Sequence, residues 1–298
     1  MIILVTSAIP LFGNPDRVIH TTHDFRIGTF RCPVDHPEFR TAGPIEGYTV
    51  AFPRSAVWIQ HADRPAFVAD PGVVTIYNRS QPYTRKALAA EGDRSDWLSL
   101  SRELAVSIVA AIDPAAAANP EGPFPMAFGP SSSELYFQQR LLFSRAIRGS
   151  IGAFELEQEV LLLAGSALER AMLGGGPARA RRSGAMRDLV EAARAEIARD
   201  PFSRRTIREI AAGLGASPFH LCRAFRRLTG LTLHHYQLEL RARLALEHID
   251  GPGRDLSRLA QDLGFSSHSH FSAAFRRRMG RTPSRARAQL RLVPRAIG

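Results

Sequence analysis

One block near the C-terminus of the chain occurs twice, and this duplication constrains the fold more than any other feature. Residues 214–233 read LGASPFHLCRAFRRLTGLTL and residues 263–283 read LGFSSHSHFSAAFRRRMGRTP. Leu214-Gly215 answers to Leu263-Gly264 at a spacing of 49, whereas Phe225 answers to Phe275 and Gly230 to Gly280 at 50. A single residue has been added in the turn, so both copies are predicted to fold into the same unit.

The local chemistry of that unit is two short helices around a tight turn. Thr206-Ile207-Arg208-Glu209 has the form of a capping box, in which the Thr hydroxyl and the Glu carboxylate satisfy each other's backbone N–H groups. Ile207, Ile210, Ala211 and Leu214 then make an inner stripe, and Gly215 supplies the left-handed residue that ends a helix. Ser217-Pro218 is an N-cap followed by proline at the first helical position, so a second helix starts at once. Its buried edge is predicted at Leu221, Phe225 and Leu228, leaving Phe219, His220, Cys222, Arg223, Arg226 and Arg227 on the other faces. In the later copy Asp255 caps a helix carrying Leu256, Leu259, Ala260 and Leu263, and Ser266 or Ser267 caps the next. That helix has Phe271, Phe275 and Met279 inside and offers His268, Ser269, Ser272 and Ala273 outside. Two helices at such a turn form a helix-turn-helix, whose second helix can enter the major groove of DNA. The connection, residues 232–250, reads as a charged helix about 28 Å long, close to one turn of B-DNA. One chain could therefore address two successive groove segments.

Charge divides the chain in the same place. From residue 183 onward there are 21 arginines against 10 acidic residues, which is the whole net charge of +11; residues 1–182 carry 18 of each sign. A basic part joined to a neutral one points to a polyanionic partner for the former and a different role for the latter. Residues 24–100 offer short β-branched and aromatic runs, among them FRIGTF, YTVAF, AVWIQH and VVTIYN, separated by turn residues. That grammar predicts an antiparallel barrel or sandwich. Helical spacing follows at residues 131–148 and 153–172, two antiparallel helices of which one could cover the sheet and the other a partner subunit, unless both are buried within the one chain. LGGGPARARRSG, residues 173–184, reads as a flexible basic linker. The predicted organisation is a regulatory β-domain (1–130), a helical hairpin with a dimerisation role open to it (131–172), the linker (173–184) and a double helix-turn-helix domain (185–298).

The C-terminal hundred residues resemble the AraC/XylS family of bacterial transcription regulators, SPFHLCRAFRRLTGLTL and SSHSHFSAAFRRRMGRTP being close to that family's two motifs. The resemblance covers about a third of the chain. It implies a cupin-like effector-binding or dimerising domain in front, hence an α+β fold with an N-terminal cupin-like antiparallel β-barrel, two following helices and an all-α C-terminal domain. It makes Phe219, Cys222 and Arg223 the base-facing residues of the first recognition helix, and His268, Ser269, Ser272 and Ala273 those of the second. Many relatives have Arg in place of Ala273 and an aromatic in place of Ala286, so the second helix is expected to read fewer bases and pack its end more loosely. Arg226, Arg227, Arg276, Arg277, Arg278 and Arg281 are expected to meet phosphates or acidic groups, and His220 and His270 to serve as turn or cap partners.

Other chemistry is thinner. Two cysteines, Cys32 and Cys222, offer no disulfide framework or CxxC pair, which suits a reducing compartment. The start, MIILVTSAIPLFGNP, has no basic leader and meets Pro10 too early for a secretory core or a span, so a cytoplasmic location is expected and no membrane partner. Cys32, His36 and one of His20, His23 or His61 are candidate metal ligands, yet the paired His-x-His and Glu of a metal cupin are missing, so no metal or other cofactor is expected. No GxSxG or phosphate loop suggests catalysis. The aromatics Phe30, Phe52, Trp58, Phe67, Tyr77, Tyr83 and Trp97 either line a pocket or make sheet core. The resulting expectation is a non-enzymatic, sequence-specific transcription regulator, activating through RNA polymerase on promoter DNA. A nonspecific architectural protein and a metal-dependent cupin enzyme with a DNA-binding tail are the alternatives.

Overall fold

The computed structural model of the chain describes residues 13–40, 43–174, 184–249 and 255–291. The predicted linker therefore lies mostly outside the described residues, as does the end of the connection between the two copies, from residue 250.

Strand alternation organises the first half. The strands are β1 (Asp16–Thr21), β2 (Phe25–Cys32), β3 (Tyr48–Pro53), β4 (Val57–His61), β5 (Phe67–Ala69), β6 (Val73–Tyr77), β7 (Tyr83–Ala87), β8 (Asp93–Leu100) and β9 (Phe128–Pro130). They pair antiparallel in two sheets, ordered β1-β2-β8-β3-β6-β9 and β5-β4-β7. Because successive side chains point to opposite faces, Phe25, Ile27, Tyr48, Val50, Phe52, Val74, Ile76, Leu98 and Leu100 fall on one face of the larger sheet and pack under helices. Their neighbours Arg26, Gly28, Phe30, Thr49, Ala51, Thr75, Tyr77, Ser95, Trp97 and Ser99 face the smaller sheet. The expected antiparallel barrel is thus two facing sheets with a cavity of about 290 Å³ between them.

The helices that cover the outer face are α1 (Arg102–Ile112), the short α2 (Pro114–Ala117), α3 (Ser133–Ile147) and α4 (Ala153–Gly174). Ser101 and Ser132 cap α1 and α3, and Gly149, at φ 64°, reverses the chain between α3 and α4. The inner stripe of α4, Leu156, Val160, Leu163, Ala167 and Ala171, lies on the sheet as its helical spacing predicts. Ala171 comes so close to β9 that a Cβ on Gly129 would sit 2.3 Å from it.

The second half is helical: α5 (Gly184–Arg199), α6 (Ile207–Gly213), α7 (Pro218–Thr229), α8 (Leu233–Ile249), α9 (Leu256–Asp262), α10 (His268–Met279) and α11 (Pro283–Arg291). Its two apolar cores are not self-contained. One holds α5 to α8 together with Val68 of the smaller sheet and Ala56 and Leu88, which flank its strands; the other holds α8 to α11 together with Tyr136 and Phe137 of α3. The second face of α3, for which the sequence left a partner subunit and burial within one chain open, is covered by the same chain.

Candidate nucleic-acid interface

Both predicted turns form from the predicted residues. Thr206 Oγ1 accepts from the Glu209 backbone N at 3.2 Å while Glu209 Oε2 accepts from the Thr206 N at 2.6 Å, closing the capping box at the start of α6. Gly215 at φ 63° turns the chain, Ser217 caps α7 by accepting from His220 N at 3.2 Å, and Gly230 at φ 78° ends it. In the later copy Asp255 caps α9, Gly264 stands at φ 73°, Ser267 rather than Ser266 caps α10 by accepting from His270 N, and Gly280 at φ 66° ends it. Ser266 instead pairs its hydroxyl with the His270 ring at 3.0 Å, while His220 takes part in its cap through the backbone.

Helical spacing places the inner faces well. Leu221, Ala224 and Phe225 of α7, and Phe271, Ala274, Phe275 and Met279 of α10, are buried. Four expected members of the stripes sit further out: Ile207 is 37% exposed, and Leu214, Leu228 and Leu256 are half-buried. Ile207 occupies the first position of α6, before the helix has turned its side toward the core.

The outer faces carry the predicted recognition residues. On α7, Phe219 is 76% exposed, Arg223 is exposed and Cys222 is half-buried beside them; Arg226 and Arg227 continue the exposed basic edge. On α10, His268, Ser269 and Ala273 are exposed, and half-buried Ser272 lies 3.4 Å from the His268 ring. Arg276 and Arg277 are exposed. Arg278 and Arg281 have acidic partners within the chain. Arg278 lies 3.6 Å from Glu239, and Arg281 donates to Glu134 of α3 at 2.7 Å with its guanidinium 3.7 Å from the Phe137 ring centre. Ala286 is fully buried in the second core, so the small residue there is enclosed.

Residues that sequence reasoning passed over lie on the back of the interface, where α8 meets the β-domain. Glu247 of α8 accepts from Arg54 Nε at 2.9 Å and from a second nitrogen of the same guanidinium, from Arg94 at 3.2 Å, and from the Tyr136 hydroxyl at 3.2 Å. Arg140 Nε approaches its other oxygen at 3.0 Å. Burial by itself would raise the Glu247 carboxyl, but Arg140 and Arg54 outweigh burial and hold it at about 2. Asp96, fully buried, takes the remaining donors of Arg54 and Arg140. At the other end of the interface Arg194 of α5 bridges Asp70 at 2.9 Å and the Val68 carbonyl, Glu191 accepts from the Val68 N, and the Tyr236 hydroxyl donates to Asp70. Between them Arg243 donates to the Ser131 carbonyl and Ser133 to Glu239. A signal existed in α8: Tyr236, Leu238, Leu240, Ala242, Ala245, Leu246 and Ile249 surround its axis, which leaves no solvent face for its charges.

The candidate metal ligands are not brought together. Cys32 is buried in the small-sheet core, His36 caps a 3-10 turn through Glu38 N and meets the Gly13 carbonyl, and His61 packs on Tyr77 with a ring centre distance of 4.8 Å. Burial pushes the His61 ring down to about 4, so it is neutral. Among the described residues, no three His, Cys, Asp or Glu side chains could share a metal ion.

The family comparison falls on the same helices. A helix-turn-helix domain family matches residues 210–289. The chain is 40% identical over 76 residues to the regulatory protein SoxS of Escherichia coli, across 26% of this chain and 71% of that protein. It is 29% identical over 84 residues to the Msm operon regulatory protein of Streptococcus mutans, across 28% of this chain and only 30% of that one. An AraC-type DNA-binding domain-containing regulator from Chromobacterium violaceum is 26% identical in structure-based comparison, over 37% of this chain and 97% of that chain, with a TM-score of 0.34. The family match over residues 210–289 contains both turns and both recognition helices described above, the SoxS match spans most of that protein, and by it the chain belongs to the AraC/XylS family of transcriptional regulators.

Proposed function

We propose that the chain binds promoter DNA sequence-specifically through α7 and α10 and regulates transcription in response to a small molecule held between its two sheets. The observation that carries this reading is the pairing of two exposed recognition faces on one chain, joined by the 17-residue α8. That length corresponds to roughly 25 Å at 1.5 Å per residue, short of one turn of B-DNA by less than a side chain's reach at each end. Arg223 is read as the guanine-contacting residue, since a guanidinium can bond O6 and N7 together. Phe219, Cys222, His268, Ser269, Ser272 and Ala273 complete the base-facing set. Arg226, Arg227, Arg276 and Arg277 face phosphates. Arg278 and Arg281 join them once their acidic partners let go.

The regulatory half of the proposal rests on the interface and the cavity. A ligand shifts an equilibrium only by its differential affinity for the two arrangements, and a cavity whose wall strands carry Arg94 and lead directly into Arg54 and Asp70 is placed to supply one. Activation through RNA polymerase is the direction proposed, with no catalysis and a cytoplasmic location. No helix among the described residues is long and apolar enough to cross a membrane. A homodimer through α4 is also proposed, since Phe154, Leu162 and Leu173 stand exposed along it.

The deciding experiment is selection of bound sequences from a random duplex pool by the full chain. Enrichment of a bipartite site with halves about one helical turn apart is the expected result. Binding that falls steeply with salt but enriches nothing would favour an architectural protein. Stoichiometric metal in the purified protein would favour the cupin enzyme.

A further inference from the structure

The seam between the β-domain and α8 carries more positive charge than its acids answer. Strand alternation puts Arg31 of β2 and Arg94 of β8 on the helix-covered face of the larger sheet, opposite the face that lines the cavity. The two residues are direct cross-strand partners. Arg31 N donates away from β8, to the Pro15 carbonyl at 2.8 Å, while Arg94 turns its N toward Ser55 at 2.8 Å and its carbonyl toward Arg54 N at 2.7 Å. The pair is therefore of the non-hydrogen-bonded kind, the closer antiparallel geometry, with Cα atoms about 4.5 Å apart. Like charges set directly opposite destabilise a sheet.

The surroundings add to the imbalance. Arg54 and Arg140 reach the same place, and the acids that answer these arginines among the described residues are Asp96 and Glu247. Both carboxylates are already occupied. Asp96 accepts from Arg54, Arg140 and Gln139, and Glu247 from Arg54, Arg94 and Tyr136. Arg94 spends one nitrogen on Glu247, at 3.2 Å, and Arg31 makes no ion pair among the described residues. Partial burial, with Arg94 and Arg54 alongside, holds the Arg31 guanidinium below its ordinary value. The charge left over is positive and open to solvent, since Arg31 is exposed and Arg94 is 28% exposed.

We propose that Arg31 and Arg94 form a binding site for a small phosphate-bearing molecule on the outer face of the larger sheet, apart from the cavity. Arginine forks pair with phosphate oxygens, often two bonds at a time, and two forks side by side can hold one group from two directions. A phosphate monoester carries about −1.5 to −2 charges at neutral pH, enough to answer four arginines set against two acids. A monocarboxylate would answer half of that excess. Binding would also relieve the repulsion between the paired stems. The DNA backbone offers the same chemical group, but the pair is tied through Glu247 to the face of α8 that meets the β-domain, behind the recognition helices. The free molecule is therefore the occupant proposed.

The test is calorimetric titration of the full chain, without DNA, with inorganic pyrophosphate, and with acetate at matched ionic strength as the monoanionic control. Pyrophosphate should saturate one site per chain and acetate should bind roughly tenfold more weakly. Arg31→Gln should weaken pyrophosphate by roughly tenfold or more, the loss of a charge-assisted contact. In phosphate-free buffer the same variant should keep or raise the urea midpoint, because a repulsion has been removed. Lys86→Gln, which takes an equal charge from the exposed side of β7, should bind like the unaltered chain. Arg31→Lys keeps the charge without the fork and should lose less than Arg31→Gln; should the latter fail to fold, a loss in Arg31→Lys decides. No saturation by pyrophosphate, equal binding of acetate, or binding undiminished by either substitution at Arg31 would overturn the proposal, the last by placing the anion on the exposed arginines of α7 and α10. Loss of duplex affinity in Arg31→Gln without any pyrophosphate binding would assign the pair to the DNA backbone and overturn it too. Pyrophosphate binding with unchanged affinity for DNA would uphold the site whatever becomes of the regulatory reading.

Discussion

Replacing Glu247 by alanine would leave Arg54 and Arg140, whose side chains are 9% and 12% exposed, with Asp96 as their one enclosed counter-charge. Removing one member of a buried ion cluster typically costs 3–5 kcal/mol, because the cost is that of the charges left behind. A second route gives a similar figure. Relative to its ordinary value of 4.5, a carboxyl held at about 2 in the folded chain contributes about 3 kcal/mol at neutral pH, at about 1.4 kcal/mol per pKa unit. We therefore expect Glu247→Ala to lower the stability of the full chain by about 3 kcal/mol, read as a shift in the urea midpoint at pH 7. Since the lost contacts join the β-domain to α8, the single transition is also expected to separate into two.

The sign of the pH dependence follows from the lowered carboxyl. Its contribution is complete above about pH 4.5 and is lost as the pH falls toward 2, so about 2 kcal/mol of the difference between the two proteins should be gone by pH 3. A loss of less than about 1 kcal/mol at pH 7, the range of exposed ion pairs, would refute the reasoning. So would a difference that does not shrink between pH 5 and pH 3, since the destabilisation would then have come from something other than the charge.

Four further outcomes follow from the same geometry. Arg223→Ala should relax preference at one base pair by about 1–3 kcal/mol while leaving affinity for random duplex within twofold, measured by competition binding. Arg277→Ala should weaken all sequences alike and reduce the slope of log affinity against log salt by about 1; equal losses on specific and random DNA for both variants would defeat this division of roles. Gly264→Ala adds a Cβ 2.7 Å from the Phe202 carbonyl at φ 73°, whereas Gly215→Ala at φ 63° meets open space. Both should cost the left-handed strain of roughly 1–2 kcal/mol, with Gly264→Ala the more destabilising in chemical denaturation. Glu134→Gln removes the acidic partner of Arg281 at 2.7 Å, and should steepen the salt dependence of DNA binding, checked in the same titrations.

The sequence by itself determined what depends on neighbours a few residues apart. Caps at Thr206, Ser217, Asp255 and Ser267, left-handed glycines at 215, 230, 264 and 280, and apolar residues at helical spacing act within one or two turns of chain. They were accordingly legible, as were the short β-branched and aromatic runs that became strands. The duplication then made the recognition helices and their exposed residues readable without coordinates.

Only the tertiary structure decided which charges face solvent and which face one another. Glu247 and Arg54 are 193 residues apart, Tyr236 and Asp70 are 166 apart, and Arg281 and Glu134 are 147 apart. The apolar residues all round α8 show that its charges lack a solvent face, but nothing local names the three arginines that enclose Glu247. Backbone hydrogen bonds and helix caps are local and repeat by rule, whereas burial of a charge is a property of everything the fold brings around it.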